Sequence, residues 1–182
     1  MAFSDRDKSS AKGERKAHYL AFALVSVIWL LLDQLSKLFF ESTQVVGAVM
    51  PGFDLGILQF RLVHNTGMAW SMFSGATTLL GIMSLLVCAV VSFGYFKMVP
   101  RPNWALTLGA ALVVAGGLGN ALDRLFRGYV VDFFETTFID FPVFNVADIG
   151  VTCGFVLLFI GLWLLERTAA GSAASDPSSK GE

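Results

Sequence analysis

At 182 residues the chain is long enough for one ordinary domain and short for two. Hydrophobic residues make up 55% of it and charged residues 15%, against about 25% charged in a soluble domain. The polar surface needed to enclose a globular core is therefore missing, which excludes an ordinary cytosolic enzyme. The 13 basic and 14 acidic side chains leave a formal net charge of −1, so no bulk attraction to nucleic acid is expected.

Residues 1–17 form a polar arm carrying Arg6, Lys8, Lys12, Arg15 and Lys16. Ala17 to Leu32 is free of charge, is followed by Asp33-Gln34-Leu35-Ser36-Lys37, and resumes as Leu38-Phe39-Phe40. This predicts one transmembrane helix reaching about Phe40. A long polar lead and the lack of a small-x-small site after it favour a retained helix over a cleaved leader. Residues 41–76 hold Gly, Pro and alternating stretches such as Ile57-Leu58-Gln59-Phe60-Arg61-Leu62-Val63, the pattern of a small strand-containing lobe.

Thr77 to Phe96 and Pro102 to Leu122 are the next charge-free spans, joined by a short link with Lys97 and Arg101. The third span has a stripe of small residues, Ala111, Ala115 and Gly119, suited to close helix packing. The loop 123–148 follows, dense in aromatics (Phe126, Tyr129, Phe133, Phe134, Phe138, Phe141 and Phe144) that suit the headgroup interface. Its place over nearby acids also suits a flap. Ile149 to Leu165 completes four spans, and a Ser-, Ala- and Gly-rich tail, 168–182, reads as disordered. Cys88 and Cys153 both lie in apolar runs and read as small core residues, not as a disulfide or metal site.

Lys and Arg set the orientation. With both termini on one side, that side carries the arm, the short link, Arg167 and Lys180, nine basic residues in all. The other side carries only Lys37, Arg61, Arg124 and Arg127. Both termini are thus expected in the cytoplasm. The fold class is an all-α polytopic membrane protein with a four-helix domain, 18–167, and a small extracytoplasmic β-containing lobe.

That topology gathers the acids. Asp33 ends the first span, Asp123 the third, Asp148 begins the fourth and Asp132 lies in the loop between them, all at the outer face. Ionisable groups at membrane depth cost roughly 2.5–3.5 kcal/mol on insertion scales and usually face a cavity or a partner. Asn120 and Asp123 are three apart, as are Asn145 and Asp148, so each pair shares a helix face. Asn145 and Asp148 are also suited to cap the fourth helix.

Other chemistries fit poorly. The two histidines, His18 and His64, form no His-Glu-x-x-His helix. A pairing of His64 with Ser71 or Ser74 lacks a Gly-x-Ser-x-Gly elbow, and Ser36 and Lys37 point about 100° apart on a helix. Paired carboxylates remain: one keeps its proton and polarises a carbonyl while the other activates water. A proton-coupled transporter is the competing reading, but transporter sites lie near the midplane. A purely structural subunit leaves the Asp, Asn and Arg cluster unexplained.

At these residues the sequence resembles lipoprotein signal peptidase, the bacterial type II signal peptidase. The matching segments are Asp33-Gln34-Leu35-Ser36-Lys37, Asn65-Thr66-Gly67-Met68-Ala69-Trp70-Ser71, Gly119-Asn120-Ala121-Leu122-Asp123-Arg124, Gly128-Tyr129-Val130-Val131-Asp132-Phe133 and Phe144-Asn145-Val146-Ala147-Asp148. Met68 and Trp70 stand where many relatives have Ala and Phe. The resemblance implies an aspartyl endopeptidase with Asp132 and Asp148 as catalytic acids. It implies substrate-binding or orienting roles for Asn65, Asn120, Arg124 and Asn145, and supporting roles for Asp33, Lys37 and Asp123. It further implies no metal or cofactor, diacylglyceryl-prolipoprotein substrates cut before the lipidated cysteine, contact with membrane lipid, inhibition by globomycin-type compounds, and residence in the bacterial inner membrane.

Overall fold

The computed structural model describes residues 5–54, 56–67, 72, 75–99 and 102–174. Helix α1 is Asp5–Thr43, strands β1 and β2 are Val49–Asp54 and Leu58–Asn65, and helix α2 is Thr77–Phe93, prolonged by a π-helical turn to Met98. Helix α3 is Trp104–Phe126, strand β3 is Val130–Thr136 and helix α4 is Val146–Ala174. All four helices are long and apolar enough to cross a bilayer.

The spans agree with hydropathy, but the helices overrun them. α1 begins inside the polar arm, and α4 continues to Ala174, into the segment read as a disordered tail. Arg, Ala and Glu at these ends propagate helix readily, so loss of apolar character does not terminate it. Residues 175–182 lie outside the described part.

α3 is the central helix, packed against α1, α2 and α4. The predicted stripe faces α1: Ala111 and Ala115 are fully buried, and Ser26 donates to the Ala111 carbonyl at 3.2 Å. A second small face meets α4, where a Cβ on Gly116 would collide with the Ala147 carbonyl oxygen. That obstacle is backbone and has no rotamer to change. Gly116→Ala is therefore expected to cost about 1–3 kcal/mol and lower the Tm in thermal unfolding.

The three strands form one antiparallel sheet in the order β1-β2-β3. β3 lies within the loop read as interfacial and flap-like, so Val130–Thr136 is sheet and not interfacial loop. Its pairing with β2 brings Asn65 opposite Val130 and Val63 opposite Asp132. Side chains alternate across a strand. One face of β3 sends Val131 and Phe133 into a cluster with Phe40 and Leu62, the rings of Phe40 and Phe133 stacking 4.1 Å apart. The other face presents Val130 and Asp132 to a cavity. Phe133 is thus sheet core, whereas Phe126 and Phe138 are exposed as an interfacial role requires. Gly128, at a φ of 79°, makes the left-handed turn from α3 into β3.

Cys88 is buried against the Val114 carbonyl, but Cys153 is exposed. In a lipid-solvated bundle an apolar run does not imply burial, so the core reading of Cys153 fails.

Candidate active site

The sheet-bearing end of the bundle collects every predicted site residue. α1 supplies Asp33 and Lys37, β2 supplies Asn65, α3 supplies Asn120, Asp123 and Arg124, β3 supplies Asp132, and the start of α4 supplies Asn145 and Asp148. Asn65, Asn120, Arg124, Asp132 and Asp148 line one cavity of about 480 Å³. Asp33, Lys37, Asp123 and Asn145 stand behind it, each almost wholly inaccessible.

The innermost layer is ionic. Lys37 Nζ lies 2.9 Å from Asp33 Oδ2, 2.9 Å from Asp123 Oδ2 and 2.9 Å from Asn120 Oδ1. Arg127 Nε approaches Asp123 Oδ1 at 3.5 Å, so two cations meet two carboxylates. An ammonium can only donate, so Lys37 holds the Asn120 carbonyl toward itself and turns the Asn120 amide nitrogen outward. Ser36, its chain neighbour, bonds instead to the Asp33 carbonyl at 2.8 Å, in line with the argument against a Ser/Lys dyad. Asp33 Oδ1 also accepts from Ala147 N at 2.9 Å, capping α4 from another helix.

The outer layer holds the two cavity acids. Asn120 Nδ2 donates to Asp148 Oδ1 at 2.8 Å. Asn145 caps α4 reciprocally: its Oδ1 accepts from Asp148 N at 3.0 Å, and Asp148 Oδ2 accepts from Asn145 N at 3.1 Å. Asn145 Nδ2 reaches Asp132 Oδ1 at 2.6 Å and Asn120 Oδ1 at 3.1 Å. Asn65, diagonal to Asp132 across the strands, donates to Asp132 Oδ2 at 2.9 Å. Every oxygen of Asp132 and Asp148 thus receives an amide hydrogen. Asp148 is both cap and cavity wall.

Burial pushes the Asp132 carboxyl up to about 7, reinforced by the charge of Asp148 and opposed by the Asn65 and Asn145 hydrogen bonds and by Lys37. This is the signature of an acid that keeps its proton near neutrality beside a second carboxylate. Arg124 Nη2 donates to the Gly67 carbonyl at 3.1 Å, while its buried Nε has no hydrogen-bond acceptor among the described residues.

Neither histidine reaches this cavity's lining. His64 bonds Glu41 at 3.0 Å and stacks on Tyr129, and His18 bonds Thr107 at 2.8 Å. No group of three or more metal-capable side chains occurs among the described residues. Met68, Trp70, Ser71 and Ser74 lie outside those residues. Sequence reasoning missed the rest of the lining: Val130, Phe141 to Phe144, Ile149, Thr152 and Cys153. Thr152 sits one turn beyond Asp148, an i, i+4 signal that could have found it.

The family model for signal peptidase (SPase) II matches residues 25–164. The chain is 37% identical over 139 residues to the lipoprotein signal peptidase of Lactococcus lactis subsp. lactis, covering 76% of this chain and 91% of that protein. It is 40% identical over 141 residues to the lipoprotein signal peptidase of Microcystis aeruginosa, covering 76% and 89%. A bacterial membrane enzyme solved by the in meso method at 2.3 Å resolution superposes with a TM-score of 0.73 at 30% identity, over 82% of this chain and 90% of that one.

Proposed function

This chain belongs to the signal peptidase II family, and from that premise we propose that it removes signal peptides from diacylglyceryl-modified prolipoproteins by aspartyl catalysis, cutting before the lipidated cysteine. The observation that carries the catalytic type is the pair of cavity acids, Asp132 and Asp148, with an amide donor on each of their four oxygens.

In this reading Asp132 holds the proton and donates it in a hydrogen bond to the scissile carbonyl. Asp148, in the first turn of α4, is the carboxylate that takes a proton from the attacking water. The tetrahedral intermediate collapses as the proton passes to the leaving amine, and the two acids titrate as a pair. Arg124, which forms part of the same cavity wall, is suited to hold a substrate carbonyl against the pair. The four spans and the nine-to-four basic asymmetry support a cavity at the outer face of the inner membrane with both termini in the cytoplasm. Globomycin-type compounds are expected to occupy the same cavity.

The test is incubation of the purified protein with a lipidated and a non-lipidated prolipoprotein. Cleavage of the lipidated one alone is expected. Equal cleavage of both removes the lipid requirement, and cleavage of neither overturns the reading.

A pH dependence follows from Asp132. Its folded-state proton is held up to about 7, so activity is present below that pH and lost as pH rises through it. The Asn65 hydrogen bond lowers this value. Asn65→Leu is therefore expected to move the alkaline limb of the kcat–pH profile upward; an unmoved limb excludes Asp132 as the group that sets it.

A further inference from the structure

Glu41, His64 and Tyr129 meet outside the cavity lining, and the proposed mechanism uses none of them. Glu41, near the end of α1, accepts from Tyr129 OH at 3.0 Å, and its two oxygens lie 3.0 and 3.1 Å from His64 Nε2. The His64 and Tyr129 rings stack with centroids 3.9 Å apart. A carboxylate only accepts, so Nε2 is the ring nitrogen of His64 that carries a hydrogen toward it. Arg127 and Asp123, at the end of α3, are the other charged groups that act on Tyr129. His64 directly precedes Asn65 at the end of β2, and Tyr129 directly precedes Val130 at the start of β3. Asn65 pairs with Val130, and His64 with Val131. Side chains alternate across a strand, so His64 and Tyr129 share the face of Val131, while Asn65, Val130 and Asp132 face the cavity. A shift of the rear pair therefore carries the front residues with it.

We propose that Glu41, His64 and Tyr129 are positioning residues for the reaction: they fasten the end of β2 and the start of β3 to α1, and so hold the Asn65 amide on Asp132. The inference rests on the aspartyl reading above. Asn65 Oδ1 accepts from Gly67 N at 2.9 Å, and its Nδ2 donates to Asp132 Oδ2 at 2.9 Å. Those bonds turn the amide, but its backbone goes where β2 goes. On the rear face β2 and β3 also rest on Phe40, through Leu62 and Phe133. Apolar contact is non-directional. Two hydrogen bonds converging on one carboxylate set a distance and an angle, which is what a donor to Asp132 requires.

The experiment follows the alkaline limb of the kcat–pH profile, on purified full-length protein with a lipidated prolipoprotein. The charged groups that act on Asp132 are Asp148 on α4, Lys37 on α1 and Arg124 on α3, and every variant keeps all three. Burial, and after it Glu41, hold the Tyr129 phenol above its ordinary value, so it remains a donor throughout. His64→Phe keeps an aromatic ring on Tyr129 and loses the Nε2 donor. It is expected to move the limb upward, as is Asn65→Leu, by about half a pH unit or more, the size of one weakened hydrogen bond. Tyr129→Phe is milder; it is expected to move the limb the same way and carries the test if His64→Phe does not accumulate. His64→Gln returns a nitrogen donor to Glu41 and is expected to restore the wild-type limb. In an Asn65→Leu background, His64→Phe is expected to add no shift, because the amide it positions is already gone. A limb that Asn65→Leu raises but His64→Phe and Tyr129→Phe do not overturns the proposal and leaves the aspartyl reading standing. So does a full additional shift in the double variant, or a His64→Gln limb that matches His64→Phe. If Asn65→Leu itself leaves the limb unmoved, Asp132 does not set it, and this inference falls with that reading.

Discussion

Asp132→Asn and Asp148→Asn are each expected to lower kcat about 10³-fold or more, with both proteins inserting and accumulating as wild type does. The substitution keeps the shape of each side chain and one carbonyl acceptor. In the proposed mechanism it removes the proton held at Asp132 in one case and the base at Asp148 in the other. Combining the two costs little beyond either alone, because the acids act as a unit. The Asp148 variant also separates chemistry from capping. An Asn at that position retains an oxygen for Asn145 N, whereas Asp148→Ala loses the reciprocal cap and destabilises by a further ~1 kcal/mol. Single-turnover cleavage alongside thermal unfolding reads both effects. Normal turnover by either Asn variant removes that acid from the mechanism.

Lys37→Met has the largest expected effect on stability. It leaves Asp33 and Asp123 buried, with the nearest remaining cation, Arg127, reaching only Asp123 and only at 3.5 Å. Breaking a buried ion pair by deleting one partner typically costs about 3–5 kcal/mol, a large share of the roughly 5–15 kcal/mol margin of a small protein, so the variant is expected to accumulate poorly. Replacing the whole cluster is a different experiment. Asp33→Asn, Lys37→Met and Asp123→Asn together remove every fully buried charge of the cluster and leave only the part-exposed Arg127 without its partner, so most of the loss is expected to be recovered. Yield and Tm in detergent distinguish the two proteins. A single variant as stable as wild type shows that the cluster carries no ionic load.

Lipid makes some of this architecture legible and hides the rest. A bilayer demands about 20 apolar residues per crossing, so the four spans can be read directly, and their order brings Asp33, Asp123, Asp132 and Asp148 to one end. β3 is hidden because it is buried on both faces. Val130 to Phe133 shows no polar alternation, and its partner β2 is some seventy residues earlier in the chain. For the same reason Phe133 reads as interfacial when it is core. Asn145 illustrates the other limit. Spacing suggests a cap, which it is, but its second role as donor to both Asp132 and Asn120 depends on three elements meeting. Cys153 errs in the opposite sense, since apolar neighbours mark lipid contact here as readily as burial.

The bond from Asp33 to the Ala147 amide joins residues 114 positions apart, and Trp29 Nε1 reaches the Val146 carbonyl across 117. The first helix thus holds the start of the last. For a chain threaded into the membrane from its N-terminus, this sets the order in which the cavity is assembled. Until the fourth span is inserted, Asp132 has no second acid, and the pocket behind it is open on one side. A chain that has not yet inserted α4 therefore lacks the cavity wall that carries Asp148, Ile149, Thr152 and Cys153.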